Sequence, residues 1–382
     1  MRIGRSQEAS AVRVHRRSRS AMVGLLAAMG LLGAACVEQE GGDGTAQAED
    51  ATDWEPEFVD GELQPLPDGF PEHEITLVNV DVAGSRDGLY ARTLDKVLSD
   101  ISPVDIAISD EPAVQGGTVY ALADTETRPD GMEGYYPVIT DIVGTATDFH
   151  IEPITNDIDS TLQDINFLIA TEVHPFVVAQ RADAPWGASF DEFVKYAEQN
   201  PGELRYISNG VGSGHDIAME WLLNELGIEV KKVPAEDRAA ATAAVVAGEG
   251  DITMVAAEDV VMADERVTPI LFTSQEVPEP WSDDPGVASA KDFGEYGLAD
   301  DAPWATVLGF MLPAQVPDLH DRWMTALFEA AFETEQYDRL RMTVPGISLE
   351  LRSTAEANEI AKASYDYSEP VVRDVGLHWE DQ

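Results

Sequence analysis

The chain has a single cysteine, Cys36. No intrachain disulfide can form, and no cysteine-based zinc site can be assembled. Positive charge is also scarce: 24 Lys and Arg stand against 71 Asp and Glu, for a formal net charge of −47. A surface that acidic repels phosphate backbones, which argues against a nucleic-acid partner. It also repels anionic headgroups, so membrane attachment has to be covalent or through an inserted segment. His-Glu-x-x-His, the Asp-x-Asp-x-Asp-Gly calcium loop and both glycine-rich nucleotide fingerprints are missing. No metal or cofactor is therefore expected. Aromatics make up only 8% of the residues, but hydrophobic residues reach 44%, enough for a real core. The length of 382 residues suits two domains better than one.

The few basic residues are unevenly placed. Six arginines, Arg2 to Arg19, precede an apolar run from Ala21 to Ala35, and the next Lys or Arg is Arg86. A basic stretch followed by a short apolar run reads as a secretory signal over residues 1–35. The run ends Leu32-Gly33-Ala34-Ala35-Cys36, which resembles a bacterial lipobox and makes Cys36 the expected lipidation site. Residues 36–66 are acidic and poor in apolar side chains, and read as a lipid-anchored disordered tether. The acidic excess suits a surface solvated at high salt, a halophilic trait.

Beyond the tether, strand and helix signals alternate. A strand is expected over 74–80, a helix from about Asp87 through Leu98 and a strand from Val104 to Ser109. A further helix is expected from Val119. Phe167 to Ala179 reads as strand, kink at Glu172-Val173-His174-Pro175, then strand, a crossing between domains. Ser189 and Glu192 form a capping-box signature for a helix ended by Asn200-Pro201-Gly202. Two βα cycles follow, from Leu204 to Ala256, with one helix placed from Ile217 to Leu226. Residues 275–303 read as a long loop and Thr306 to Leu312 as the return crossing. One long helix is expected from Leu319 to Met342, and a last one from Ala355 to Asp374, interrupted at Pro370. This is an α/β pattern with mostly parallel sheets flanked by helices, in two domains. Domain I is expected over 67–172 and 304–382, and domain II over 173–303.

Two glycine loops each follow a strand and precede a helix: Val82-Ala83-Gly84-Ser85-Arg86-Asp87 and Asn209-Gly210-Val211-Gly212-Ser213-Gly214. Small residues let backbone N–H groups approach a ligand, and a helix N-terminus favours negative charge. One loop from each domain would clamp the two ends of an anion, with Ala83, Gly84, Ser85, Arg86 and Asp87 on one side. Gly210, Gly212, Ser213, His215 and Asp216 would form the other. Gly116 and Gly117 add a third candidate turn. Ser213, His215 and Asp216 are neighbours at a helix start and point in different directions, so they form no catalytic relay. No other catalytic set is present, and the chain is not expected to be an enzyme.

The order of these segments resembles the extracytoplasmic solute receptors of tripartite tricarboxylate transporters, the Bug-type receptors. The resemblance is carried by Phe70-Pro71-Glu72-His73-Glu74-Ile75, by Ala83 through Arg92, by Pro112 through Gly117 and by Pro129-Asp130-Gly131. It continues through Tyr196 to Gly202, Gly210-Val211-Gly212-Ser213, Val233-Pro234, Gly250-Asp251 and Leu312 through Pro317, covering about residues 70–377. After Val233-Pro234 this chain has Ala235-Glu236-Asp237 where the family has an aromatic, a basic residue and glycine, with Arg238 next. The resemblance implies a two-domain periplasmic-binding-protein fold, a Venus flytrap with two crossing strands. It also implies a small organic anion, a carboxylate, held in the interdomain cleft by a monomer and delivered to integral membrane transporter subunits. The alternative is a receptor that uses the same closure to signal to a membrane partner. Either role is extracytoplasmic, at the outer face of the cell membrane or in the periplasm, with the lipid on Cys36 as anchor.

Overall fold

The computed structural model describes residues 54–80, 86–111, 131–151, 161–299, 302–341 and 348–381. The signal segment, Cys36, Ala83-Gly84-Ser85, Gly116-Gly117 and the helix expected from Val119 lie outside them. The tether ends earlier than expected. Phe58–Val59 (β1) and Glu62–Leu63 (β2) form an antiparallel hairpin, and Leu63 and Leu66 are buried against the first core. The two leucines anchor this acidic segment: once apolar side chains reach a core, the surrounding charges only need to face water.

The first sheet grows from Ile75–Asn79 (β3), followed by Arg86–Leu98 (α1) and Ile106–Asp110 (β4), with β3 and β4 parallel. Val138–Asp141 (β5) runs parallel to β3 and passes directly into Ile142–Asp148 (α2). Neither β5 nor α2 is anticipated from the pattern, because a seven-residue helix built on Ile, Val and Thr carries no periodic helical signal.

Ile165–Arg181 (β6) is one strand of 17 residues, not two strands around a kink. Its first part pairs with Ala305–Pro313 (β11) from Ile165 to Pro175. Its last part pairs from Phe176 onward with Ile252–Ala256 (β9) and Val267–Phe272 (β10). Pro175, which has no N–H to give, sits where one set of partners ends and the next begins, so the strand continues without losing a ladder bond. The second sheet adds Arg205–Ser208 (β7) and Lys231–Pro234 (β8), both parallel to β9. The main order is β4-β3-β5-β11-β6-β9-β7-β8, with β10 paired to β6 off this path. Because β6 belongs to both sheets, residues 51–382 cluster as a single unit.

Phe190–Gln199 (α3) carries the expected capping box, with Ser189 and Glu192 satisfying each other's backbone N–H. Gly214–Glu225 (α4) starts three residues before the expected position, because Ser213 caps it. Arg238–Val246 (α5) is capped by Asp237, and Ala257–Met262 (α6) follows β9. The long loop over 275–303 contains a 3₁₀ segment, Ala290–Tyr296, that buries Phe293.

The long C-terminal helix is divided into Asp318–Phe332 (α7) and Glu335–Arg341 (α8). Thr334 makes the break: its hydroxyl donates to the Ala331 carbonyl and accepts the Tyr337 N–H. Tyr337 is thereby buried, and its hydroxyl reaches Glu172 on β6. Ser348–Arg352 (β12) also pairs with β6. Thr354–Asp374 (α9) continues through Pro370, which is exposed, so the carbonyl it leaves free can be hydrated.

Candidate ligand-binding cleft

In open α/β sheets, ligands collect beyond the carboxyl ends of the strands. The C-terminal end of β5 and the C-terminal end of β7 meet at a cleft of about 390 Å³. One wall is α2 with its N-cap residue, which together present Asp141, Gly144, Thr145 and Asp148. Their spacing of i, i+3, i+4 and i+7 places them on one face of the helix. The other wall is the loop Asn209 to Gly214, joined by Glu236 from the β8–α5 turn. A larger groove of about 590 Å³ is lined by Glu72, His73, Glu74 and Pro103 to Ile106. It lies at the N-terminal ends of β3 and β4, the wrong end for a ligand site in this fold.

The glycine loop has a defined internal scaffold. Gly210 and Gly212 hold φ of 121° and 81°, conformations that favour glycine. The Ser213 hydroxyl donates to Asn209 Oδ1 at 2.8 Å and accepts the Asp216 N–H at 3.2 Å. Asn209 Nδ2 in turn donates to the Met254 carbonyl at 3.1 Å. Asp216 is completely buried beneath the loop, where it accepts from the Gly212 N–H at 2.9 Å, the Tyr206 hydroxyl at 3.0 Å and Lys232 Nζ at 2.7 Å. Burial lowers the Lys232 pKa, but the hydrogen bonds and charges of Asp216 and Glu220 outweigh it and hold the ammonium above its ordinary value. Burial, then the Asp216 charge, push the Tyr206 phenol well above its ordinary value.

Several of the residues expected to contact a ligand are engaged within the protein. Asp216 does not line the cleft; it holds the loop from below. His215 lies flat on Phe176, ring centroids 3.9 Å apart, and does not line the cleft either. Ser213 does line it, but its hydroxyl is used as the helix cap. Gly210 and Gly212 line the cleft, and Gly214 adds the first N–H of α4, which no intrahelical bond satisfies. Asp87 sits half-buried in the first turn of α1, one turn before the buried Tyr90. Arg86 begins the same helix.

The wall formed by α2 is the part the sequence reading misses. Its only sequence signal is the i, i+3, i+4, i+7 spacing of two acids and two small residues. Asp141 Oδ1 accepts the Val307 N–H at 3.0 Å, and the Thr145 and Thr140 hydroxyls share a bond of 2.7 Å. Asp148 is half-buried, and burial together with the Asp141 charge push its carboxyl up to about 8. Among the described lining residues there is no Lys, no Arg and no aromatic. Arg238, two residues after Glu236, turns instead toward Glu258 and Asp259 at 3.6 and 3.5 Å. Arg92 pairs with Asp110 at the end of β4. Among the described residues no group of three metal-ligating side chains occurs, and no helix is long and apolar enough to cross a membrane.

Two sheets that share a long strand, with a glycine loop and a helix face enclosing a small cleft, define a solute-binding receptor of the two-domain periplasmic type. The tripartite tricarboxylate transporter family receptor, TctC, matches residues 91–331, and the chain belongs to that family. The family is one of extracytoplasmic receptors and not of enzymes. A UPF0065 protein of Cupriavidus necator is 26% identical over 182 residues, which is 47% of this chain and 53% of that protein. The chain thus spans about half the length of the curated relatives it matches. A TctC solute-binding protein from Polaromonas superposes with a TM-score of 0.63 at 17% identity, covering 80% of this chain and 99% of that one. The MatC protein of Rhodopseudomonas palustris with bound malate gives 0.60 at 19% identity, covering 79% and 100%.

Proposed function

We propose that this receptor captures a small organic acid in the cleft between two lobes and delivers it to the membrane subunits of a tripartite tricarboxylate-type transporter. The observation that carries the reading is the glycine loop Gly210 to Gly214, which opens the N-terminus of α4 onto the cleft. Backbone amides there, Gly214 foremost, suit a carboxylate. The malate carried by the MatC neighbour supports the same ligand chemistry. Residues 67–172 and 304–382 form one lobe in this reading and 173–303 the other. The hinge lies near Pro175, where β6 changes partners. A ligand touching both α2 and the loop binds the closed form more tightly, so binding shifts the lobes toward closure. Ala83, Gly84, Ser85 and Arg86 would complete the pocket from the first lobe, and a lipid on Cys36 would hold the receptor at the membrane.

The reading is tested by calorimetric titration of mono-, di- and tricarboxylates into the purified protein and its Gly212→Val variant. A side chain at φ 81° strains the loop and fills the space a ligand needs. The variant is expected to lose binding. Unchanged affinity in Gly212→Val removes the loop from the site, and no binding by any carboxylate overturns the receptor reading itself.

A further inference from the structure

We propose that α9 is a third connection between the two lobes, a strap behind the cleft that joins α2 to α4, bends at Pro370 and limits how far the lobes can turn. The proposal rests on the two-lobe receptor reading above and adds to it the element that restrains the motion.

The first half of the helix grips the first lobe. Ala357 and Ala361 are buried in the same apolar cluster as Ile142 and Val143 of α2 and Met311 of β11. Asn358 holds the Phe167 backbone on β6 by both of its polar groups: Nδ2 donates to the carbonyl at 2.9 Å, and Oδ1 accepts the N–H at 3.3 Å. The Thr354 hydroxyl donates to the Leu168 carbonyl at 2.6 Å. The grip extends to Tyr365, whose carbonyl accepts from His150 Nε2, just beyond α2, at 2.8 Å.

The other end enters the second lobe. Val372 is fully buried in the cluster that holds Phe193, Trp221 and Met254. Here α9 packs against α4, and the Tyr367 ring lies 6.4 Å from Trp221 on α4 and 5.8 Å from Trp304, just before β11. Because α4 opens at the glycine loop and α2 is the facing wall, one helix backs both walls of the cleft. Its 21 residues give a length of about 30 Å, enough to span them. Beyond Gly376 the Trp379 N–H donates to the His150 carbonyl at 3.1 Å, so the strap is fastened past its end as well.

The junction between the two grips is built to move. Pro370 lies between Tyr365 and Val372, and its missing N–H leaves the Asp366 carbonyl outside the helical ladder, so the helix bends most easily there. Between Ala361 and Val372 the buried residues of the helix are Ser364 and Ser368, whose small side chains do not interlock with a neighbour. Two buried polar groups at this junction, Ser364 Oγ and Trp304 Nε1, have no hydrogen-bond partner among the described residues. Burying a polar group in that way is costly, which marks an interface with a second position for α9. A ligand that closes the lobes then has to bend α9 too, and its affinity carries that cost.

The test is the distance between spin labels on the two lobes, read by pulsed electron resonance on the full chain without ligand. The labels sit at the exposed positions Lys96→Cys on α1 and Met262→Cys on α6, in a Cys36→Ser background. Tyr367→Ala frees the second-lobe end of the strap and is expected to broaden the distance distribution and shift its mean by about 2 Å or more. Pro370 is exposed, so Pro370→Ala restores the missing N–H with little else changed, and is expected to narrow the distribution. It gives the answer by itself where Tyr367→Ala does not fold. A Pro370→Ala distribution equal to the parent's or broader overturns the proposal, and so does an unchanged one in folded Tyr367→Ala. No ligand enters the measurement, so a protein that binds no carboxylate overturns the receptor reading and leaves this result standing.

Discussion

Lys232 Nζ lies 2.7 Å from the Asp216 carboxylate, and this pair sits directly beneath the glycine loop of the cleft. Asp216 is fully buried, while Lys232 keeps about 29% of its side chain in solvent. The pair therefore links the loop, through the Gly212 N–H, to the edge strand β8. In this fold the acid near the loop supports the loop from below and is not among the residues that line the cleft.

Removing the cation should expose that dependence. Lys232→Met leaves Asp216 buried with only neutral donors, and breaking a buried pair from one side costs about 3 kcal/mol. Urea unfolding is expected to show a loss of that order, with weaker ligand binding because the loop loosens. A loss below about 1 kcal/mol would place the loop's support elsewhere.

Ser213→Ala should behave as the loss of a helix cap and not as the loss of a ligand contact. The hydroxyl is already used by Asp216 N and Asn209 Oδ1. The expected cost is about 1 kcal/mol in stability, and Ser213→Asp should recover most of it. If affinity falls while the unfolding curve is unmoved, the hydroxyl contacts the ligand after all.

Asp148 makes folding stability depend on pH in a defined direction. Its folded pKa of about 8 stands above the ordinary 3.8, so the native state holds the proton that the unfolded chain has released. The Asp148 contribution is fully present below the unfolded value and is lost as pH rises toward 8. Asp148→Asn should therefore match the parent near pH 4 and exceed it at pH 9 by about 1–3 kcal/mol. Parallel curves for the two proteins from pH 4 to 9 would show that the carboxyl titrates normally.

Salt should stabilise the fold. With 71 acidic against 24 basic residues, mutual repulsion is large and is screened by ions. Melting temperature is expected to rise with KCl beyond physiological strength. A flat response would mean that the acids are too widely spaced to repel.

Wherever the information was local, it could be read along the chain. The Ser189–Glu192 capping box, the alternation from β7 through β9 and the glycine loop before α4 depend on residues only a few positions apart. Their order also carried the family resemblance. What depended on distant partners could not be read in this way. The Ser213 hydroxyl is bonded to Asn209, and Asp216 to Tyr206 and Lys232 beneath the loop, partners that no local pattern in the sequence announces. The α2 wall had the weakest local signal of all, because its seven residues form a helix mainly by packing against α9 and β11. Residue type and spacing thus determined the elements and the family. Tertiary structure decided which polar groups face the cleft, because each hydrogen-bonding group is claimed by whichever partner the fold brings nearest.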